Sequence, residues 1–152
     1  MAFQIMNKII LISFFTILNS LAQTSDSSMI EFNWKGIGNF NATLFVPDNY
    51  HQNDEYYGEG IFTTLTYEDS SCIFLHIGGC MQIPIMKEDV IVQESIKDDS
   101  CYIRKGISKN TKLYWRENNC RNDFINIGYS GVSKDKLNEF EKSIESFILL
   151  KR

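Results

Sequence analysis

The chain has 152 residues, of which 43% are hydrophobic and 13% aromatic, and it carries 15 basic against 19 acidic side chains. This composition is typical of one globular domain, and the 2 prolines and 9 glycines exclude collagen-like and low-complexity sequences. The excess of acid argues against nucleic-acid binding, which needs a basic surface that displaces counterions from phosphates.

The N-terminus has the layout of a bacterial-type signal peptide. Lys8 precedes the apolar run Ile9 to Leu18, which is shorter than the roughly 20 residues that a membrane-spanning helix needs. Small residues then occupy the two positions that a signal peptidase reads, so cleavage is predicted after Ala22. Either Met1 or Met6 is the start, and a retained N-terminal membrane anchor is the alternative.

Export would leave an acidic mature chain in an oxidising compartment, either periplasmic or secreted. Removal of residues 1–22 takes away one lysine and no acid, which lowers the formal charge from −4 to −5. The remainder contains no second apolar segment long enough to span a membrane. Residues 23–28 are small and polar, and they are predicted to be a flexible lead-in to a single exported domain at residues 29–152.

Short apolar and alternating segments predict the strands of an antiparallel sheet. Ile30–Trp34 alternates apolar and polar side chains, and Ala42–Val46 is an apolar run that ends at Pro47. The polar segment Asp48–Glu59 has no periodicity and is predicted to be a loop. Four further strands are predicted at Val90–Gln93, Tyr102–Ile107, Leu113–Glu117 and Phe124–Tyr129.

The clearest pair of strands is a hairpin between Ile61–Tyr67 and Cys72–Ile77, which a four-residue turn separates. Centring the pairing on that turn puts Tyr67, Phe74 and His76 on one face of the hairpin. The cross-strand pairs are then Thr63 with His76, Leu65 with Phe74, and Tyr67 with Cys72. The other face is the predicted core side, and it carries Phe62, Thr64, Thr66, Ile73, Leu75 and Ile77.

The last segment changes to the period of an amphipathic helix, with apolar residues on one face and charged residues on the other. A helix is predicted from about Lys134 to Leu149, with Ser133 accepting hydrogen bonds from its first turn. The preceding stretch Gly128–Val132 is predicted to be a tight strand-to-helix turn in which Gly131 supplies backbone freedom. The predicted fold class is α+β, an antiparallel β-sheet of about five to seven strands packed by one C-terminal amphipathic helix.

Four cysteines in the exported part predict disulfide bonds. Cys101 and Cys120 lie at nearly equal distances from the turn at residues 108–111, so a hairpin would bring them together, and this pair is preferred. Cys72 is then left with Cys80, provided that the glycines between them bend the chain. The open alternatives pair Cys80 with Cys101 or with Cys120.

No catalytic or metal-binding constellation emerges from the motifs. His76 lies four residues from both Cys72 and Cys80, a spacing that would gather zinc ligands, or a nucleophile and its base, on a helix. In a strand the same spacing separates the side chains by about 13 Å. No catalytic residue, metal or cofactor is therefore predicted. The enzymatic alternative is a hydrolase that combines His51 or His76 with Cys80 or a loop carboxylate.

The feature left over is an excess of aromatic residues beyond what one sheet face and one helix need to bury. Such residues suit protein recognition, or else a second small core beneath the loop. The predicted binding residues are Tyr50, Tyr56 and Tyr57 of the loop and Tyr67, Phe74 and His76 of the hairpin face.

These observations predict a small exported, disulfide-stapled acidic binding module. Its partner is expected to be another protein, and a basic one if the module is an inhibitor or immunity-type protein, because charge complementarity steers such pairs together. Besides the hydrolase, the remaining alternative is a structural, envelope-associated domain.

Overall fold

The structure of the protein, a computed structural model, describes residues 27–34, 40–58, 60–78, 89–97, 101–120 and 123–150. The predicted signal peptide, its cleavage site and Cys80 lie outside these residues. Within them the chain forms ten strands and one helix. The elements are β1 (Ser27–Trp34), β2 (Phe40–Pro47), β3 (Tyr50–Tyr57), β4 (Gly60–Tyr67), β5 (Cys72–Ile77), β6 (Asp89–Lys97), β7 (Cys101–Ser108), β8 (Tyr114–Cys120), β9 (Ile125–Val132), α1 (Leu137–Glu145) and β10 (Ile148–Leu150).

The described strands pair antiparallel in two sheets. The larger sheet has seven strands in the order β3-β4-β5-β9-β8-β7-β6, and the smaller has three in the order β1-β2-β10. The seven-stranded antiparallel sheet and the one described helix are compatible with the predicted α+β class. The three-stranded sheet was not predicted. β1 begins at Ser27, so the last two residues of the predicted lead-in belong to a strand.

One hydrophobic core is shared by both sheets and α1, and the helix contacts β2 and β9. We call the side of the seven-stranded sheet that carries Leu65, Leu75 and Ile127 the core face, because these residues belong to this core. The opposite side, which carries Phe74 and Glu117, is called the second face. Side chains alternate between the two faces along each strand, so the register of every strand decides which residues enter the core.

The predicted hairpin of β4 and β5 is confirmed, but its register differs from the prediction by one residue. Leu65 lies opposite Ile73 rather than opposite Phe74. The predicted core side is therefore right for β5 and wrong for β4, because a one-residue slip moves all side chains of one strand to the other face. Thr63 and Leu65 are each 1% exposed, whereas Thr66 is exposed.

The hydrogen bonds of the turn set this register. The amide of Tyr67 donates to the carbonyl of Ser71 at 2.9 Å, so the loop has three residues rather than four. Ser70 takes a left-handed conformation with a φ angle of 66°. Asp69 accepts hydrogen bonds from the amide and from the hydroxyl of Ser71, which holds the turn closed. A three-residue loop that ends in a left-handed residue is a common hairpin connection.

The prediction of a loop at Asp48–Glu59 is wrong, because this segment contains strand β3. A turn with Asn49 at a φ angle of 64° precedes the strand, and Gly58 at 47° follows it. Both residue types tolerate these left-handed conformations. All eight residues of β3 pair with β4. Seven of the eight are exposed, so the strand lacks the alternation of apolar residues by which a half-buried strand is recognised.

Helix α1 is shorter than predicted at both ends. It begins at Leu137 with Lys136 as the N-cap, and the side chain of Lys136 makes no capping hydrogen bond to the first turn. The predicted cap at Ser133 is therefore wrong. The helix ends after nine residues, and the hydroxyl of Ser146 accepts a hydrogen bond from the amide of Phe45 at 2.9 Å. The residues that follow pair with β2 as strand β10. Pairing with a sheet edge therefore replaces the last predicted helical turn.

The stretch Gly128–Val132 belongs to β9 and is not the turn that was predicted. The pairing of β9 with β8 shifts by one residue at Gly131, whose φ angle is 71°, and this irregularity is a β-bulge. Gly128 allows a close approach inside the sheet. A methyl group there would overlap the carbonyl of Arg116 and the ring of Phe74.

A cluster of charged side chains ties α1 to the sheet. Glu141 accepts hydrogen bonds from Lys105 at 2.6 Å and from Tyr129 at 2.6 Å. It also forms an ion pair with Arg116, whose side chain is buried. Burial alone would raise the pKa of Glu141, but the hydrogen bonds and the adjacent positive charges lower it. The helix is thus anchored by a carboxylate that stays ionised in a half-buried position.

The preferred disulfide between Cys101 and Cys120 is confirmed. The two residues lie directly opposite each other at the ends of β7 and β8. This bond excludes the alternatives in which Cys80 pairs with Cys101 or with Cys120. Cys72 is a free thiol within the described part of the chain.

We expect removal of the disulfide to lower stability through the entropy of the unfolded chain. The double substitution Cys101→Ala and Cys120→Ala should reduce the free energy of unfolding by about 3 kcal/mol, the value for closing a loop of this length. The control Cys72→Ala removes a thiol that has no disulfide partner among the described residues, and it should cost less than about 1 kcal/mol. Urea denaturation of the wild-type protein and the two variants measures both changes, and equal losses in the two variants would contradict the expectation.

We expect Glu141→Gln to destabilise the fold by about 3 kcal/mol, because it removes the nearer of the two carboxylates that pair with the buried charge of Arg116. The control Glu145→Gln alters an exposed carboxylate 3.6 Å from the same guanidinium and should cost less than about 1 kcal/mol. The lowered pKa of Glu141 stabilises the fold above its ordinary value of 4.5, and this stabilisation is lost as the pH falls through the folded-state pKa. Denaturation between pH 7 and pH 3 should therefore show a weaker acid dependence for Glu141→Gln.

Candidate binding surface

Strand β3 forms one edge of the seven-stranded sheet, and its side chains are exposed on both faces. Tyr56 is 69% exposed and Tyr57 is 45% exposed. Among the strands that the structure describes, β3 pairs with β4 alone. Asp54 lies opposite Thr63 of the core face, so the even-numbered residues of β3 extend the core face. The odd-numbered residues extend the second face.

Two carboxylates at the middle of β3 are held in place by neighbouring side chains. Asp54 accepts hydrogen bonds from the hydroxyl of Thr63 at 2.6 Å and from the side-chain amide of Gln52. Glu55 accepts a hydrogen bond from the side-chain amide of Asn53 at 3.0 Å and another from the hydroxyl of Tyr57. None of these partners is a cation, and no described lysine or arginine forms an ion pair with either carboxylate. Within the described residues, the two negative charges therefore remain uncompensated.

Of the predicted binding residues, Tyr50 and Tyr67 anchor β3 to the core. Tyr67 is 8% exposed, packs edge-on against Phe140 with ring centroids 5.1 Å apart, and donates to the carbonyl of Pro47. Burial raises the pKa of Tyr67. Tyr50 is half-buried, and its ring meets that of Tyr67 at 6.4 Å. Through its contact with Tyr50, the buried ring of Tyr67 thus holds the first residue of β3 against the core.

The predicted hairpin face of Tyr67, Phe74 and His76 does not exist as one surface. The register places Tyr67 on the core side and the other two on the second face. All three side chains are buried, with exposures of 8%, 6% and 3%. Only Tyr56 and Tyr57 of the predicted binding residues are exposed, and Tyr50 is half-buried.

The second face contains a buried polar network that the sequence did not indicate. Glu117, which is 2% exposed, accepts hydrogen bonds from Arg104 at 2.7 Å and from the side-chain amide of Asn126 at 2.8 Å. Asn126 lies opposite His76 in the neighbouring strand. Burial lowers the pKa of His76 and keeps the imidazole neutral. Arg104, Glu117 and Asn126 belong to the three consecutive strands β7, β8 and β9, and the pairing of β5 with β9 places His76 beside them.

The two histidines lie away from the free thiol. His51 shares a cross-strand row with Thr66 and Cys72, at two strand spacings or roughly 10 Å from the cysteine. The thiol of Cys72 instead contacts the hydroxyl of Ser130 at 3.1 Å. The described residues contain no group of three His, Cys, Asp or Glu side chains placed to hold a metal ion. No described helix has the length and apolar character needed to cross a membrane.

A groove of about 460 Å³ lies between α1 and strands β7 and β8. Its polar lining includes Lys105 and Glu141, which are hydrogen-bonded to each other at 2.6 Å. These two charged groups of the groove are thus occupied in holding the helix. No protein-family model, curated protein or solved structure matches this chain.

We expect His76 to make the fold sensitive to mild acid. Because burial lowers its pKa, the unfolded chain takes up a proton below about pH 6.5 while the folded chain resists it. The free energy of unfolding should therefore fall between pH 7 and pH 5. His76→Gln should lose part of this dependence, whereas His51→Gln, at an exposed position, should keep it. Chemical denaturation at pH 7, 6 and 5 compares them, and identical slopes for the two variants would contradict the expectation.

Proposed function

We propose that the protein is an exported binding module that uses strand β3 to bind a basic protein. The observation that carries this proposal is an exposed edge strand with two adjacent tyrosines and two carboxylates that form no ion pair with any described lysine or arginine. The signal-peptide pattern supports export, and the disulfide between Cys101 and Cys120 is consistent with it. An inhibitor or immunity-type role is the concrete form of this proposal.

The distribution of charge supports a basic partner. Residues 50–77, which span β3, β4 and β5, contain five acids and no lysine or arginine. Asp69 is paired with Lys136 at 2.6 Å, and this hydrogen bond lowers the pKa of Asp69 to about 2. Asp54 and Glu55 have no such partner in the part of the chain that the structure describes. A field of one sign at one edge of the sheet attracts a cationic surface and raises the association rate.

The exposed tyrosines supply the contact area. Tyrosine buries a large amphipathic ring at a low cost in conformational entropy, which is why it is enriched at binding surfaces. Tyr56 and Tyr57 point to opposite faces of the sheet edge, so a partner that covers the edge can contact both. Their burial would add apolar contact to the attraction between charges.

Site-specific photo-crosslinking tests this proposal in the cells that make the protein. A crosslinking amino acid at position 56 should capture a basic protein, and the same group at position 96 should not, since Ile96 is a 73% exposed residue on the opposite edge strand. The double variant Asp54→Asn and Glu55→Gln should reduce the yield and weaken affinity for the purified partner by about tenfold. Added salt should weaken the wild-type complex.

The proposal fails if position 56 captures no protein or captures one that is unaffected by the charge variant. Equal capture from both edges would indicate nonspecific contact. An unchanged yield in high salt would argue that the two carboxylates do not contribute to binding.

A further inference from the structure

We infer that β3 binds its partner by strand addition, in which an extended cationic segment pairs with β3 as an eighth strand of the sheet. This inference rests on the proposed function, because it assigns a mode and a ligand class to the same edge. Its consequence is that main-chain atoms of β3 make the contact, while its side chains select the partner.

The hydrogen bonds of the hairpin show which main-chain groups of β3 are available. The amide of Tyr67 donates to Ser71, so the odd-numbered residues of β4 direct their main-chain groups toward β5. The even-numbered residues of β4 therefore face β3, where they meet odd-numbered partners. The remaining N–H and C=O groups of β3 point away from the sheet. They belong to Tyr50, Gln52, Asp54 and Tyr56.

The edge at β3 lacks three features that block strand addition, namely prolines, lysines and β-bulges. Charged side chains also protect sheet edges, and those of Asp54 and Glu55 oppose an acidic strand while favouring a basic one. β3 contains no proline or lysine, and its pairing with β4 runs through eight residues without a shift. The opposite edge strand, β6, has a bulge between Ile91 and Gln93 and ends at Lys97. The two edges of one sheet thus differ, and only β3 offers an unbroken row of main-chain donors and acceptors.

The two carboxylates define the ligand class. Asp54 lies on the core-face side of the edge and Glu55 on the second-face side. An added strand also directs successive side chains to opposite faces, so two adjacent basic residues would place one cation beside each carboxylate. The ligand is therefore an extended segment with a pair of neighbouring lysine or arginine residues.

A second copy of this chain is a poorer occupant of the same edge. Two β3 strands paired with each other would bring two copies of Asp54 and two of Glu55 within neighbouring or diagonal positions of one sheet. Like charges at these positions are destabilising. A basic segment removes that repulsion and pairs the charges instead.

Proline substitution at an outward-facing amide tests the inference. Gln52→Pro removes one N–H that points away from the sheet and keeps the hydrogen bonds between β3 and β4, as tolerated on edge strands. Gln52→Ala is the matched control, since both variants lose the same side-chain contact with Asp54. The probe is a fluorescein-labelled octapeptide, Thr-Val-Thr-Arg-Lys-Thr-Val-Thr, with blocked termini, and binding is measured by fluorescence anisotropy.

We expect the peptide to bind the wild-type protein with a Kd below about 1 mM, and Gln52→Ala to change that Kd by less than about twofold. Gln52→Pro should weaken binding by about tenfold or more. In a second measurement, each main-chain amide of the peptide is methylated in turn. Methylation should lower the affinity at every second position of the peptide, because only alternate residues of an added strand direct their amides toward β3. This second measurement uses the wild-type protein, so it still tests the inference if Gln52→Pro fails to fold.

Three results would overturn strand addition. The first is that the peptide does not bind at 1 mM, and the second is that it binds the proline and alanine variants with equal affinity. The third is that methylation of the peptide amides lowers the affinity at positions that do not alternate. If crosslinking at position 56 still captures a charge-dependent partner, the proposed function survives and only the mode is wrong. Self-association of the wild-type chain that Gln52→Pro abolishes would make a second copy the occupant and would overturn the basic-segment ligand.

Discussion

The register of the β4–β5 hairpin is the constraint on which the rest of the structure depends. The hydrogen bond from Tyr67 to Ser71 closes the loop after three residues. That single choice puts Leu65 and Leu75 on the same face, where they pack against the smaller sheet and α1. It also decides which main-chain groups of β4 remain for β3, and so which groups of β3 face solvent. The core and the exposed edge follow from the same turn.

The molecule separates its aromatic residues by role. Tyr67 and Phe140 meet inside the core, and Phe74 is buried on the second face. Tyr56 and Tyr57 remain exposed on an edge strand that carries two acids and no lysine or arginine. The buried aromatic residues fix the sheet that supports the edge, and the exposed ones, together with the carboxylates, are the chemistry on which the proposed binding rests. Buried polar groups such as Glu117 and His76 belong to the scaffold.

Prediction from sequence succeeded where one local pattern was sufficient. Cys101 and Cys120 could be paired because they lie symmetrically about one turn, and α1 could be located because its apolar face has a helical period. The strand β3 could not be recognised, because exposure on both faces leaves no apolar alternation. The network around Glu117 had no sequence signal, because its members come from three strands that the tertiary pairing joins.

The sequence by itself indicated that an antiparallel sheet and a C-terminal helix form, that Cys101 and Cys120 are the preferred disulfide pair, and that the 48–59 segment is acidic and rich in tyrosine. These are properties of composition and short-range periodicity, which survive in any arrangement of the strands. Only the tertiary structure decided the register, the second sheet, the end of the helix and the exposure of β3. Each of these depends on competition between distant segments for the same backbone hydrogen bonds and the same buried area, and no local pattern records the outcome.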